Sequence, residues 1–424
     1  MLKVLFMDRR VVITGMGVVS PIGNDVPTFW NNLLNGFCGI DTIDSFVSDG
    51  LPVHIGGLVK DFNPAVYGIE KSFSRKQDPY AVYALAAAVQ AMAQSGLSAG
   101  ETDGNIDPFR LGVNVSSGIG GIEITIREAV GMVNDPAGQW VSPNYIPTMI
   151  PNIAAGHIAI KFQAKGPCMD VSAACASSTF AIGEAYRTIR HGYADAMISG
   201  GADHCTIPLG IAGFANARAL TRETDPKHAS LPFNLNRGGF VMSDGAAVLV
   251  LEEYEHAKAR GAEILCEIVG YGATCDAFHA TAPRPDGTTQ ARCISLALEE
   301  AGFDASTDTV YVNAHGTGTK LNDTSETLAL KLAFGESAYK LHVSSTKSMH
   351  GHMLGASGAA EAIATILALK EGTIPPTINL DTPDPECDLD YTPNVPVHAD
   401  LTLGVSDSFG FGGHNACIAF RKIR

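Results

Sequence analysis

The chain has 424 residues, of which only 17% are charged, and positive charge is the scarcer kind. Its 29 lysines and arginines face 44 aspartates and glutamates, a formal net charge of −15. That balance argues against general nucleic-acid binding and requires any acidic partner to dock on a local basic patch. The nine cysteines (38, 168, 175, 205, 266, 275, 293, 387 and 417) are odd in number and scattered, with no CxxC pair. Such spacing gives no disulfide framework; a reduced cytoplasmic protein is expected, with every cysteine but Cys175 in the core. No apolar stretch of membrane-spanning length runs without polar interruption, so a soluble chain is expected. The opening Met1–Met7 is too short for the apolar region of a signal peptide and lacks a small-residue cleavage site. A dinucleotide-binding fingerprint is also missing. Gly15 and Gly17 follow a strand-like run, but Ser20-Pro21 replaces the third glycine and no acid follows at the right distance. The two glycines therefore read as a tight turn under a sheet.

What is present is a well-buried globular composition, 46% hydrophobic with 45 glycines. The length suits one large domain of two halves, or two domains. Strand-like runs at 11–19, 111–116, 196–199, 245–252, 264–271, 309–314, 403–407 and 416–420 alternate with helical patterns at 80–95, 177–191, 253–260, 290–301, 324–334 and 356–370. That alternation predicts a layered α/β fold. The 356–370 segment is apolar nearly all round and is expected to be central and covered. Residues 120–165 lack a clean period and read as an insertion with short helices. A weak internal echo pairs Ala174-Cys-Ala-Ser-Ser with Leu354-Gly-Ala-Ser-Gly, which sets Cys175 against Gly355 and hints at a duplicated fold.

Chemistry enters at Cys175. It stands where an apolar run gives way to small residues and a helical pattern, so its thiol lies beside unpaired helix-opening N–H groups that favour thiolate. The first acid or base after it in sequence is Glu184, so nothing local opposes that effect. His315 follows a strand and sits in Asn313-Ala-His-Gly-Thr-Gly-Thr; His350 and His352 lie in Lys347-Ser-Met-His-Gly-His. A cysteine with two histidines in Gly-rich turns is material for thioester chemistry. A rival is zinc held by His350, His352 and Cys175, but two histidines across one glycine are weak support for a metal site. Gly410-Phe-Gly-Gly413 reads either as a plain hairpin or as a turn whose N–H groups form an oxyanion hole. Glu326 and Glu361 follow candidate histidines on helices. Each is an ordinary surface acid or an orienting group.

Together these residues resemble the β-ketoacyl-acyl-carrier-protein synthases, the condensing enzymes, and most of all the elongating type II members. The matching stretches are 12–23, the Cys175 segment, Ala217-Arg-Ala-Leu220, Asp244-Gly-Ala-Ala, Asn313-Ala-His-Gly-Thr, Ser345-Thr-Lys-Ser-Met-His-Gly-His352 and Ser408-Phe-Gly-Phe-Gly-Gly413. The resemblance implies the thiolase fold, a duplicated five-layer αβαβα arrangement that dimerises. Residues 1–260 would form the half with the nucleophile and insertion, and 261–424 the half with both histidines. It implies that Cys175 carries the acyl chain, with the Cys175 and Phe411 amides holding its oxyanion. His315 and His352 would stabilise the enolate formed when malonyl-carrier loses CO2. Lys347 matches the family's active-site lysine. Asp323, Glu326 and Glu361 match supporting acids, Phe411 a gate and Ile119 an acyl-pocket position. Arg75, Lys76 and Arg218 match basic positions that dock the acyl carrier protein. No cofactor, metal, nucleic-acid or membrane partner is implied.

Sister families fit less well. Initiating synthases pair the histidine with asparagine, thiolases place a second cysteine in the terminal Gly-rich turn, and chain-length factors lack the nucleophile. There are also departures: His350 for threonine, Asp407 for asparagine, His414 for threonine, and Gln139-Trp140 for a second basic pair.

Overall fold

The computed structural model describes residues 9–44, 50–100, 103–135 and 137–423; the opening Met1–Met7 lies outside them. Five strands come from the first part of the chain: β1 (Val11–Val19), β2 (Leu111–Ser116), β3 (Cys168–Met169), β4 (Ala196–Asp203) and β5 (Gly245–Glu253). Five come from the second: β6 (Cys266–Cys275), β7 (Val310–Asn313), β8 (His342–Ser344), β9 (Leu403–Gly410) and β10 (His414–Arg421). Their order is β8-β7-β9-β10-β6-β1-β5-β4-β2-β3. Counted outward from the middle, each part runs first, fifth, fourth, second, third. Polarity repeats too: β2 is parallel to β3 and β4, as β7 is to β8 and β9, and the remaining pairs within each part are antiparallel. The parts join through one short antiparallel contact, Val11–Ile13 against Cys266–Ile268.

Six helices complete the layers: α1 (Pro79–Ser95), α2 (Ile122–Asn134), α3 (Ser177–Arg190), α4 (Thr288–Ala301), α5 (Lys320–Phe334) and α6 (Ser357–Glu371). α1 covers β1, β4 and β5 on one outer face; α4, backed by α5, covers β6 and β10 on the other. α3 and α6 pack on each other and touch strands of both parts, which makes them the middle of five layers. This is the duplicated thiolase-type arrangement. A helix in that position has no solvent face, and in α6 only Lys370 and Glu371 emerge. The repeat extends to single bonds. Asn114 Nδ2 donates to Ala181 O at 3.1 Å, and Asn313 Nδ2 to Glu361 O at 3.3 Å. Each middle helix is entered through a 3-10 turn, Ala174–Ala176 or Leu354–Ala356, begun by a residue at positive φ, Ala174 at 49° and Leu354 at 50°.

Several local expectations need correction. Gly15 and Gly17 do not form a turn; they lie inside β1, beside a bulge. A Cβ on either would stand 2.0 Å from a carbonyl oxygen of α1, so glycine here permits helix and strand to touch. β4 does not stop at Ser199 but runs through Gly200 and Gly201 to Asp203, because a Cβ on Gly200 would stand 2.0 Å from Ala247 O of β5. Cys168 and Cys275 are exposed at strand ends and Cys38 is half-buried, so only the remaining cysteines are core residues. The segment read as an insertion carries α2 and two shorter helices, Tyr145–Met149 and Ile153–Phe162. No helix of the described residues is long and apolar enough to cross a membrane.

Candidate active site

The Cys175 turn places its side chain in a cavity of about 380 Å³ whose walls come from both parts of the chain. His315 and His352 line it with Cys175, as do Phe411, Phe240 and Arg218. The two imidazole rings meet edge to face, 5.3 Å between centroids. His315 arrives on the turn that leaves β7. His352 follows the short helix Lys347–His350, and its amide donates to Val241 O at 2.7 Å. His350 turns away. Its ring nitrogens meet Gly351 O at 2.7 Å and Thr346 Oγ at 3.0 Å, so of the pair only His352 reaches the cavity.

Burial acts strongly on each group. It pushes the Cys175 thiol up to about 12; Lys347 and the amides of Phe411 and Cys175 pull the other way, while Asp203 pushes it further up. The expectation that nothing nearby opposes the thiolate is therefore wrong. Glu184 is the first acid after it in sequence, but the end of β4 brings Asp203 across in space. Both histidines are held well below the ordinary imidazole value, first by burial and then by Lys347, and so are neutral at neutral pH.

The remaining candidates form a layer behind the cavity rather than lining it. Lys347 is fully buried and ion-paired with Glu361 of α6. Burial raises Glu361 to about 7 against the pull of that lysine. Glu326 accepts the His315 amide at 2.7 Å and the Gly316 amide at 2.8 Å. Asp323 does not touch a histidine. It accepts the amides of Gly318 and Phe233 and faces the buried Arg237 at 3.6 Å. Ile119 does not line the cavity either; it packs against the hydrophobic cluster that contains Cys175, and its amide faces Asp203. Of the three basic residues, Arg218 sits at the cavity while Arg75 and Lys76 are exposed away from it. Gln139 and Trp140 lie in the insertion, with Trp140 85% exposed.

Three groups escaped the sequence reading. Ser357 Oγ lies 2.8 Å from His352 Nδ1. Asp203 accepts Ser117 Oγ and the amides of Gly118, Ile119 and Gly355. Asp407 Oδ1 accepts the same His315 amide as Glu326, at 2.8 Å. Ser357 and Asp203 carry no local signal, since each is one polar residue in an apolar stretch; Asp407 is marked only by its departure from asparagine.

A cysteine before a buried helix, two neutral histidines from a duplicated half and a terminal Gly-rich hairpin together have the make-up expected of a condensing enzyme. The sequence matches the beta-ketoacyl synthase N-terminal domain over residues 8–257 and the beta-ketoacyl synthase C-terminal domain over 265–381; the chain belongs to the beta-ketoacyl synthase family. It is 46% identical over 416 residues to the 3-oxoacyl-[acyl-carrier-protein] synthase 2 of Staphylococcus aureus (strain COL), covering 98% of this chain and 99% of that one. It is 45% identical over 417 residues to the same-named protein of Synechocystis sp., with the same coverage. Among solved structures, a beta-ketoacyl synthase from Burkholderia phymatum superposes with a TM-score of 0.89 at 37% identity, over 98% of this chain and 100% of that one. A type II polyketide ketosynthase in complex with its acyl carrier protein (AntDE:AntF) superposes at 0.88 with 35% identity, over 98% and 100%.

Proposed function

We propose that this chain elongates acyl chains in fatty-acid synthesis by decarboxylative condensation of malonyl-carrier with an acyl group held on Cys175. The observation that carries it is one cavity into which Cys175, His315 and His352 all open. Cys175 Sγ attacks the acyl-carrier thioester, the carrier sulfur leaves, and the thiol proton departs with it. The Cys175 and Phe411 amides, which already face the sulfur, hold the oxyanion. Malonyl-carrier then loses CO2. Its enolate oxygen accepts hydrogen bonds from the neutral rings of His315 and His352. The Ser357 hydroxyl donates to His352 Nδ1 and so leaves the Nε2 proton for the cavity. The enolate carbon attacks the acyl-Cys175 carbonyl, the 3-oxoacyl-carrier leaves and Cys175 regains a proton.

Lys347 keeps the site electropositive, Glu361 holds Lys347, and Glu326 and Asp323 fix the turn that bears His315. Phe411 gates the two half-reactions, and Ile119 backs the apolar cluster around Cys175 against which the acyl chain would lie. In this proposal the acyl carrier protein docks on Arg75, Lys76 and Arg218. The enzyme works as a cytoplasmic homodimer without metal or cofactor, and its two halves divide at residues 260 and 261. The second reading is a polyketide-type ketosynthase of the same chemistry, favoured by the likeness to AntDE:AntF. A non-catalytic dimer partner is disfavoured by the intact Cys-His-His set.

Purified protein given malonyl-carrier and acyl-carriers of increasing length is expected to release CO2 and form 3-oxoacyl-carrier. Absence of CO2 release with every primer would overturn the proposal, and the product lengths separate fatty-acid from polyketide use.

A further inference from the structure

Behind His315, Glu326 has a second acid beside it, Asp407, to which the mechanism above gives no role. Asp407, on β9, and Glu326, on α5, are both fully buried. Their oxygens accept the same His315 amide, at 2.8 and 2.7 Å, so the two carboxyl groups converge on a single N–H. Two buried carboxylates so close repel each other, and a proton held between them removes that repulsion and supplies the donor that neither carboxylate has. The other surroundings point the same way. Glu326 Oε2 accepts the Gly316 amide and Asn322 Nδ2, while Asp407 Oδ2 is buried without a partner. A second negative charge would have no added donor to meet it.

We propose that Glu326 and Asp407 share a single proton and act together as the positioning pair for His315, with one negative charge behind the histidine rather than two. The groups facing the pair fit that count. Lys347 is the nearby cation, but it is ion-paired with Glu361 of α6. Asp323 on the same helix is occupied by Arg237 and main-chain amides. Cys293 of α4, Cys417 of β10 and Tyr391 are all pushed upward, first by burial and further by one member of the pair, so none supplies positive charge. Burial and the neighbouring Asp407 keep Glu326 well above the usual carboxylate range, and burial raises Asp407 to about 6, which favours Glu326 as the proton's holder.

The role is one of position. The shared proton ties β9 to α5 across the His315 amide and so sets the direction in which the imidazole leaves its turn. Replacing Asp407 by Asn keeps the shape but supplies an amide donor. Glu326 is then expected to ionise and to carry the charge alone.

The test is an infrared measurement that needs no turnover. At about pH 8 ordinary carboxyls are ionised and Glu361 is mostly so, and the proposal expects Glu326 to keep the shared proton. Wild-type protein grown with side-chain 13C-glutamate is expected to show one protonated-carboxyl C=O band that shifts with the label. Asp407→Asn and Glu326→Gln should each abolish it. Absence of that band in the wild type overturns the pair even if neither variant folds, and so does its survival in a folded Asp407→Asn protein.

The kinetic arm rests on the condensing-enzyme reading. Below about pH 6 the wild-type pair takes its second proton, so malonyl decarboxylation should fall on an acid limb. In Asp407→Asn that limb should move about one pH unit lower. A merely structural role for Asp407 would lower kcat evenly across pH. A protein that shows the band but never decarboxylates malonyl-carrier would sink the function and leave the pair standing.

Discussion

The two turns that open the middle helices share a backbone and differ in chemistry. Cys175 and Gly355 occupy equivalent places, each next to a residue at φ near 50°, each ahead of a buried helix. At Cys175 the space beyond the turn is a cavity shared with His315 and His352. At Gly355 the corresponding amide donates to the Asp203 carboxylate at 2.7 Å, and the nearest neighbours of a Cβ there would be Asp203 Oδ2 at 2.6 Å and the Gly118 amide at 2.7 Å. The same helix end thus opens on a cavity once and closes on a carboxylate once. A favourable helix end does not make a nucleophile; open space and partners from the other half do.

Breaking the active member of this pair should have the largest effect. Cys175→Ala is expected to lower condensation by on the order of 10⁶-fold. Cys175→Gln should lose condensation yet keep malonyl decarboxylation, read as CO2 released without 3-oxoacyl product, since His315 and His352 remain. Condensation surviving in Cys175→Ala would remove the distinction between the two turns.

Breaking the closed member should cost stability instead. Gly355→Ala forces a methyl group against Asp203 and the Gly118 amide and is expected to lower stability by about 1–3 kcal/mol in urea unfolding. An unchanged midpoint would show that this turn is not packed shut.

The smallest effect sharpens the electrostatic side. His352 has a folded value far below its unfolded value of about 6.5. Between those values the unfolded chain binds a proton that the folded one does not. Its contribution therefore erodes as pH falls below about 6.5, by up to about 1.4 kcal/mol per pH unit. Relative to His352→Gln, the wild type should lose stability with that slope between about pH 6.5 and 5. Parallel curves would mean that the ring is protonated or exposed in the folded state.

Much of this was legible in the linear chain, for identifiable reasons. α6 was read as central because its apolar residues cover the whole circumference, and only a helix with both faces covered is made that way. The Cys175–Gly355 echo was visible because the two turns need the same small residues. Illegible were contacts whose cause lies across the fold. Gly15 and Gly17 looked like a turn because nothing in β1 announces that α1 lies against it. Asp203 could not be found as the charge opposing Cys175, because β4 brings it there from 28 positions away.

The order of motifs, the family and the central, fully covered α6 follow from the sequence alone, since they rest on residue types and periods that do not need neighbours. The tertiary structure decided which of two equivalent turns is open, how far burial moves each ionisable group, and that two acids meet on the His315 amide. Those outcomes depend on distance and desolvation, and a sequence holds neither until the chain has folded.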